Sequence, residues 1–456
     1  MMMHIRSKFK TNITALVLCG LIAFTPTAIA QQTPPPLIRD TEIEAIFKEW
    51  AAPLLKSSGI PHVDIILVQS NQINAFVAGG ANIFFYTGLL QKTDGPGEVL
   101  GVMAHEMGHI AGGHLIAQRS AMERASYESI LGMVLGLGAA AVTGNGQAAN
   151  AIILGGNSLA QRRYLSHSRI HESSADQAGF TFLTSASINP SGMSTFLGKL
   201  DSEELLPASQ QSEYMRTHPV TRSRIEAVNA LITKTDLRDK AFPPLWIEQH
   251  ARMKAKLTGF INPAQVEWAY EDQDQSIAAR YARAIAAYRL NDIQGALKQI
   301  DALIAAEPKN PYFQELKGQV LLESGRVRDA VPYYQKSVAL LPEASLLRIA
   351  LAHALIESGD EPANLKEAIT HLKRAEKTED RSTRIHRLLA TAYGRLGQER
   401  AAKLELAEEA LLQRRFDYAK SQAEGAISGL AEGSPEWVKG KDILLQIETL
   451  SRDKDL

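Results

Sequence analysis

The run His105-Glu106-Met107-Gly108-His109 constrains this chain more than any other segment, because its two imidazoles can act together only if the backbone there is helical. Residues four apart on a helix share one face, one turn above the other. Neutral imidazoles so placed take neighbouring corners of a tetrahedral zinc site, and Glu106 stands beside them to accept a proton from a water that the metal activates. The lead-in Gly97-Glu98-Val99-Leu100-Gly101-Val102-Met103-Ala104 has apolar residues at helical spacing, which predicts a helix with one buried face.

With 456 residues and 45% hydrophobic content, the chain has length for two or three domains with real cores. Its formal net charge of −1, without a long single-sign run, argues against a nucleic-acid partner and against membrane binding driven by charge. The amino terminus reads as a secretory signal peptide. His4, Arg6, Lys8 and Lys10 precede an apolar stretch from Ile13 to Phe24, and Ala28 and Ala30 set the small-residue pattern for cleavage after Ala30. Leu18 before Cys19 is too large for a lipoprotein signal, so the mature chain is expected to hold no cysteine and to rely on packing and a metal for stability. A short signal of bacterial type predicts the periplasm.

Further along, Thr41 to Leu55 has the spacing of an amphipathic helix, Val63 to Val68 reads as a strand, and Ile73 to Ala78 with Ala81 to Tyr86 reads as a hairpin around Gly79-Gly80. Ile130 to Thr143 and the small-residue stretch ending at Gly156 are read as a packed helical pair, with a flap over the site or a peripheral membrane contact as the alternatives. Helices are expected over Ser158 to Ser185 and Ser191 to Leu200, separated by Asn189-Pro190. From Thr233 to Asp274 the pattern loosens, and Pro243-Pro244 and Asn262-Pro263 read as breakers in a connector.

Beyond the connector a period appears. Ala296 and Ala330, Pro308 and Pro342, and Gly325 and Gly359 are each 34 residues apart, the period of tetratricopeptide repeats. Gly318, Ala330, Tyr334 and Pro342 fall where that repeat prefers Gly, Ala, an aromatic and Pro, while four extra residues around Glu361-Pro362-Ala363-Asn364 stretch the step from Gly359 to Gly397 to 38. Stacked helix pairs of this kind bury a continuous core and leave a concave face that binds a peptide or protein segment.

A catalytic zinc needs a third protein ligand. His114 misses the H-E-x-x-H-x-x-G-x-x-H spacing by one residue, since Leu115 stands where that motif needs His, and it reads as a structural or supporting histidine. Glu172 and Asp176 are a better source: four apart on one helical face, one carboxylate can bind metal while the other holds a ligand imidazole by its free N–H.

Together, His105-Glu106-Met107-Gly108-His109, Ser168-Arg169 leading into Glu172 and Asp176, and Thr217-His218-Pro219 with Arg222 and Arg224 resemble metallopeptidase family forty-eight, which includes the CAAX prenyl protease. With a signal peptide and carboxy-terminal repeats, the chain is similar to that family's periplasmic β-barrel assembly-enhancing type. The resemblance implies one Zn2+ per chain held by His105, His109 and Glu172, Glu106 as general base, Asp176 behind the ligands, and His218 near the metal as an inhibitory ligand or an oxyanion stabiliser. Asn74-Ala75-Phe76 and the strand Asn82 to Tyr86 resemble the family's strand pair beside the cleft. Ser174 departs from the family, where an acidic residue usually stands.

The resulting expectation is a signal peptide (1–30), an α+β zincin-like metallopeptidase domain, mainly helical with a small β-sheet (31–233), a connector (234–274) and an all-α tetratricopeptide repeat domain (275–456). The implied activity is zinc-dependent endopeptidase action on proteins, in quality control and assembly of outer-membrane proteins, with the repeats docking to the assembly machinery. The rival reading is a chaperone-like adaptor that binds through the repeats and keeps its zinc site mostly closed.

Overall fold

The computed structural model describes residues 36–114, 169–207 and 210–452. The expected signal peptide, Cys19, the stretch from Ile130 to Gly156 and the first part of the Ser158 to Ser185 helix lie outside the described residues. Within them, no helix is long and apolar enough to cross a membrane.

The first half is a small sheet backed by helices. Strands β1 (Leu37–Ile38), β2 (Asp64–Val68), β3 (Ala75–Ala78) and β4 (Asn82–Tyr86) form one sheet in the order β1-β2-β4-β3. β3 and β4 are the expected hairpin, antiparallel, with Phe76 opposite Phe84. β2 pairs with β4 in parallel, and β1 adds an antiparallel edge that two residues could not announce in sequence. Helix α1 (Thr41–Ser58) starts where the Asp40 side chain accepts from Ile43 N and ends at Gly59 in the left-handed conformation. Its Trp50 and Leu54 are fully buried, in one core with Ile83 and Phe85 of β4 and with Val99, Leu100 and Met103 of the motif helix.

β4 runs into α2 (Thr87–Lys92), then α3 (Pro96–Ala111), which carries the His-Glu motif. α4 (169–185), α5 (Ser191–Leu200), the short α6 (Glu213–Thr217) and α7 (Arg222–Ile232) complete this half. α3 and α4 approach each other closely. A Cβ at Gly108 would lie 2.6 Å from the carbonyl oxygen of Ala175, and one at Gly179 would lie 3.0 Å from the backbone of Ala104 and His105. Two glycines therefore let backbone meet backbone, which brings residues 172 and 176 onto the histidine face of α3.

The stretch 234–274, expected to be loose, contains an 18-residue helix, α8 (Pro244–Ile261). Pro244 stands in its first turn, where a proline costs nothing because that N–H has no helical partner, so Pro243-Pro244 starts a helix instead of breaking one. α8 is packed on both sides. Toward the sheet half, Trp50 Nε1 donates to Gln249 Oε1 at 2.8 Å and Lys254 Nζ donates to the Thr93 carbonyl at 2.6 Å. Toward the repeats, Gly259 leaves room for Ile285, whose Cβ would lie 2.8 Å from an added methyl.

After a single helical turn at Val266–Ala269, ten longer helices follow among the described residues: α9 (Ile277–Arg289), α10 (Ile293–Ala306), α11 (Pro311–Glu323), α12 (Val327–Leu340), α13 (Ser345–Glu357), α14 (Pro362–Glu376), α15 (Thr383–Arg395), α16 (Glu399–Leu412), α17 (Phe416–Ile427) and α18 (Pro435–Arg452). Their pairing accounts for the 34-residue period. Ala296 and Ala330 are fully buried, and Gly318 faces the ring of Tyr334, so the small and aromatic positions are two sides of one contact. Each turn between paired helices takes a positive φ, at Asn291 (67°), Gly325 (79°), Gly359 (136°) and Gly397 (72°), so the repeated glycine is a turn requirement that Asn also meets.

The two halves are joined by a buried charge network. Lys256 of α8, 8% exposed in its side chain, lies 2.7 Å from Asp40 Oδ2 and 3.2 Å from Glu42 Oε2, and Tyr281 of α9 donates to the same Glu42 oxygen at 2.9 Å. At the edge, Arg39 lies 2.7 Å from Glu44 and 2.7 Å from Glu379 of the repeats. Removing one member of a buried charge set leaves the rest uncompensated, so Lys256→Met should lower the unfolding free energy by about 3–5 kcal/mol. Chemical denaturation measures it, and an unchanged midpoint would mean that the two halves are not coupled through this lysine.

Candidate metal centre

α3 presents His105 and His109 on the face turned to α4, as their spacing requires, and their Nε2 atoms are 3.0 Å apart. α4 adds Glu172, whose Oε2 is 3.4 Å from His105 Nε2 and whose Oε1 is 3.4 Å from His109 Nε2. His218, at the carboxy-terminal cap of α6, completes the cluster, its Nδ1 3.2 Å from Glu172 Oε1 and 3.5 Å from His105 Nε2. One ligand atom from each of these four residues lies within 4.8 Å of the other three, a group that could hold a metal ion.

Each imidazole is held from behind. His105 Nδ1–H donates to Asp176 Oδ1 at 2.9 Å, which leaves Nε2 with its lone pair toward the cluster. His109 Nδ1 meets His114 Nδ1 at 3.0 Å, and the His114 ring stacks on His171 at 4.4 Å. His114 is thus outside the cluster, as the spacing predicts, but behind His109, where a continuing helix would have turned it away. His218 is fixed by Tyr214, whose carbonyl accepts from His218 N at 2.7 Å and whose ring centre lies 4.8 Å from the imidazole. Tyr214 N in turn donates to the Ile73 carbonyl at 3.0 Å, which ties α6 to the residues leading into β3. Ser174 is exposed on α4, away from the cluster, so its departure from the family pattern leaves the centre untouched.

Arg224 is the residue whose work was not legible in sequence. Capped by Thr221 at the start of α7, it sends Nε to Asp176 Oδ2 and Nη2 to Oδ1, both at 2.8 Å. Its Nη1 is 2.9 Å from Glu172 Oε2 and donates to the Pro219 carbonyl, also at 2.9 Å. The signal that could have found it is charge: Glu106, Glu172 and Asp176 had no assigned cation.

Electrostatically the centre requires positive charge. Glu106 is fully buried and neither carboxylate oxygen has a hydrogen-bond partner, an arrangement costing about 1–3 kcal/mol per group unless a ligand supplies one. Burial pushes its carboxyl up, while His218, 3.5 Å away, acts in the opposite sense. Burial would lower His105, but its hydrogen bonds to Asp176 and Glu172 outweigh this and raise it to about 10. His109 is depressed by burial and by the neighbouring imidazoles. Glu172 is held well below the usual carboxylate range because His218 and His105 outweigh its burial. Once the imidazoles give up their protons, as ligation requires, three buried carboxylates against one guanidinium would leave up to two negative charges beside lone-pair nitrogens, which a divalent cation would neutralise. The donor set therefore fits a metal ion.

Comparison with known proteins places the two halves in known families. Residues 37–232 match the model of Peptidase family M48, and residues 281–345 and 321–390 match tetratricopeptide repeat models. The chain is 29% identical to the Beta-barrel assembly-enhancing protease of Escherichia coli (strain K12) over 385 residues, 81% of this chain and 75% of that protein. It is 25% identical to the protein of the same name from Yersinia pestis, over 65% of this chain and 61% of that one. Among solved structures, MamA (MSR-1 C2) is similar with a TM-score of 0.31 and 20% identity, covering 37% of this chain and 97% of its own. Residues 37–232, with the His-Glu helix at their centre, belong to peptidase family M48, and the chain is a metalloprotease that carries tetratricopeptide repeats behind this domain.

Proposed function

We propose that this chain is a zinc endopeptidase of the periplasm, acting in the assembly and quality control of outer-membrane proteins. The observation that carries the chemistry is the convergence of His105, His109 and Glu172 on one point beside the unpartnered carboxylate of Glu106. The cellular setting rests on the names of the relatives and on the signal-like amino terminus, and the repeats are assigned to docking on the assembly machinery.

In this reading His105, His109 and Glu172 hold the ion. Zinc, when bound, supplies Lewis-acid polarisation of the scissile carbonyl and acidifies water. Glu106 takes the proton of the attacking water on its carboxylate and delivers it to the leaving amine. Asp176 keeps His105 in the tautomer whose Nε2 is free to ligate. Substrate is aligned in extended form along β3, one of the two edge strands of the sheet, where Phe76 stacks on Phe84 with ring centres 4.9 Å apart.

The same cluster supports a latent resting state. His218 reaches Glu172, Glu106 and His105 at 3.2–3.5 Å, so its imidazole occupies space that water or substrate needs for reaction. Such a site stays closed until a partner or substrate draws the 217–219 turn away. This favours a chain that is an adaptor at rest and a protease on demand.

Purified protein should contain about one zinc per chain, the stoichiometry of a site with three protein ligands. Elemental analysis should find the metal lost in His105→Ala, His109→Ala and Glu172→Ala, and the chelated wild type should melt at a lower temperature. Retention of zinc by Glu172→Ala would assign the third ligand elsewhere.

Glu106 has a role in proton transfer and none in holding the ion, so Glu106→Gln should keep zinc and fold while casein hydrolysis falls by about a hundredfold or more. Turnover near that of the wild type would remove Glu106 from the mechanism.

For His218 the sign of the change is informative. A closing imidazole predicts that His218→Ala raises basal proteolysis and self-cleavage without loss of zinc; an oxyanion stabiliser predicts a fall of about a hundredfold or more. Steady-state cleavage of casein separates the two, and an unchanged rate would leave His218 with a packing role only.

A further inference from the structure

Glu172 and Asp176 are equivalent by sequence: both are carboxylates, one helical turn apart, on the same face of α4. Both are buried, 3% and 4% exposed, and both approach His105, Asp176 at Nδ1 and Glu172 at Nε2. Some other group must decide which of the two faces the ion. In this structure His105 Nδ1, 2.9 Å from Asp176 Oδ1, holds one oxygen, and Arg224 does the rest. Its guanidinium engages both oxygens of Asp176 at 2.8 Å, so neither is left to turn toward the cluster. With Glu172 it engages only Oε2, at 2.9 Å, an oxygen that also faces His218 Nδ1 at 3.3 Å and His105 Nε2 at 3.4 Å, while among the described residues Oε1 meets only imidazoles, His218 Nδ1 at 3.2 Å and His109 Nε2 at 3.4 Å. The remaining Nη1 contact, to the Pro219 carbonyl, fixes the turn that carries His218. One side chain thus ties α4 to the 218–219 turn and meets two carboxylates in different ways.

We infer that Arg224 is a positioning residue that selects Glu172 over Asp176 as the carboxylate ligand and limits it to one oxygen. The inference rests on the zinc reading above. The planar fork of five N–H donors makes the selection, and a lysine, with the same charge but a single ammonium, cannot engage both carboxylates and Pro219 at once. With the fork gone, Asp176 keeps only its bond to His105 Nδ1, and its Oδ2 and the second oxygen of Glu172 become free to approach the ion. The ligand number then rises while the geometry of the site loosens.

The test uses the full chain, as wild type, Arg224→Lys and Arg224→Ala, loaded in turn with zinc and with cobalt(II). Arg224→Lys should keep the circular dichroism of the wild type yet bind zinc about 10–100-fold more weakly, the range for loss of a group that supports metal ligands. Its cobalt form should show weaker visible d–d absorption, as expected when four-coordinate metal gains a ligand. In Arg224→Ala, if it folds, millimolar guanidinium should restore zinc affinity and the absorption, whereas the same concentration of sodium chloride should not. Wild-type affinity and spectrum in Arg224→Lys would overturn the inference, and so would weaker binding with an unchanged spectrum, since charge alone would then account for the loss. A wild type that takes up neither metal would overturn the zinc reading itself, a separate result.

Discussion

The structure of the centre depends on one contact, the meeting of the α3 and α4 backbones at Gly108 and Gly179. A helix pair with ordinary side chains at the crossing keeps its axes about 8–10 Å apart. Here the side chains are absent at two matched places, and Ala175 and Ala104 lie directly against the opposing glycines. Only at that separation do short side chains such as Glu172 and Asp176 reach imidazoles on the neighbouring helix at 2.9–3.4 Å. Gly108 is one of the two unspecified positions of the His-Glu motif, and its identity is settled by the partner helix, not by the metal.

Charge completes what packing begins. Three acidic groups, buried within reach of one another, would repel and take up protons if left alone. Arg224 neutralises one charge and orders two of the carboxylates, and a divalent ion held there would neutralise the rest. The same logic appears where the halves join, with Lys256 set between Asp40 and Glu42. In both places a single long cation links segments far apart in the chain, so losing it costs more than one hydrogen bond.

That junction changes how the two halves relate. α8 fills the stretch read from sequence as a connector, with one face against Trp50 and Thr93 and the other against Ile285. Arg39, just after the first strand, also reaches Glu379 in the repeats. The peptidase half and the repeats share buried structure, and a partner that moves the repeats acts on the segments that also support α1 and α3.

By itself the sequence determined the elements whose signal is local. The His-Glu helix, the hairpin around Gly79-Gly80, the helix Ser191–Leu200 and the 34-residue period are all written in spacings no longer than one repeat. Motif and spacing also pointed to His105 and His109 with either Glu172 or Asp176, while Glu172 in particular and His218 came from the resemblance to the family; the structure places His105, His109, Glu172 and His218 where they could share one centre. Tertiary structure alone decided the rest. That Pro244 opens a helix depends on apolar surfaces waiting on both sides of α8. The parallel pairing of β2 with β4 and the two-residue strand β1 depend on neighbours distant in the chain. The placement of Arg224 between Glu172 and Asp176 joins residues 48 positions or more apart. Long-range ion pairs leave no periodicity along a sequence, since their geometry is set only when the helices that carry them have packed.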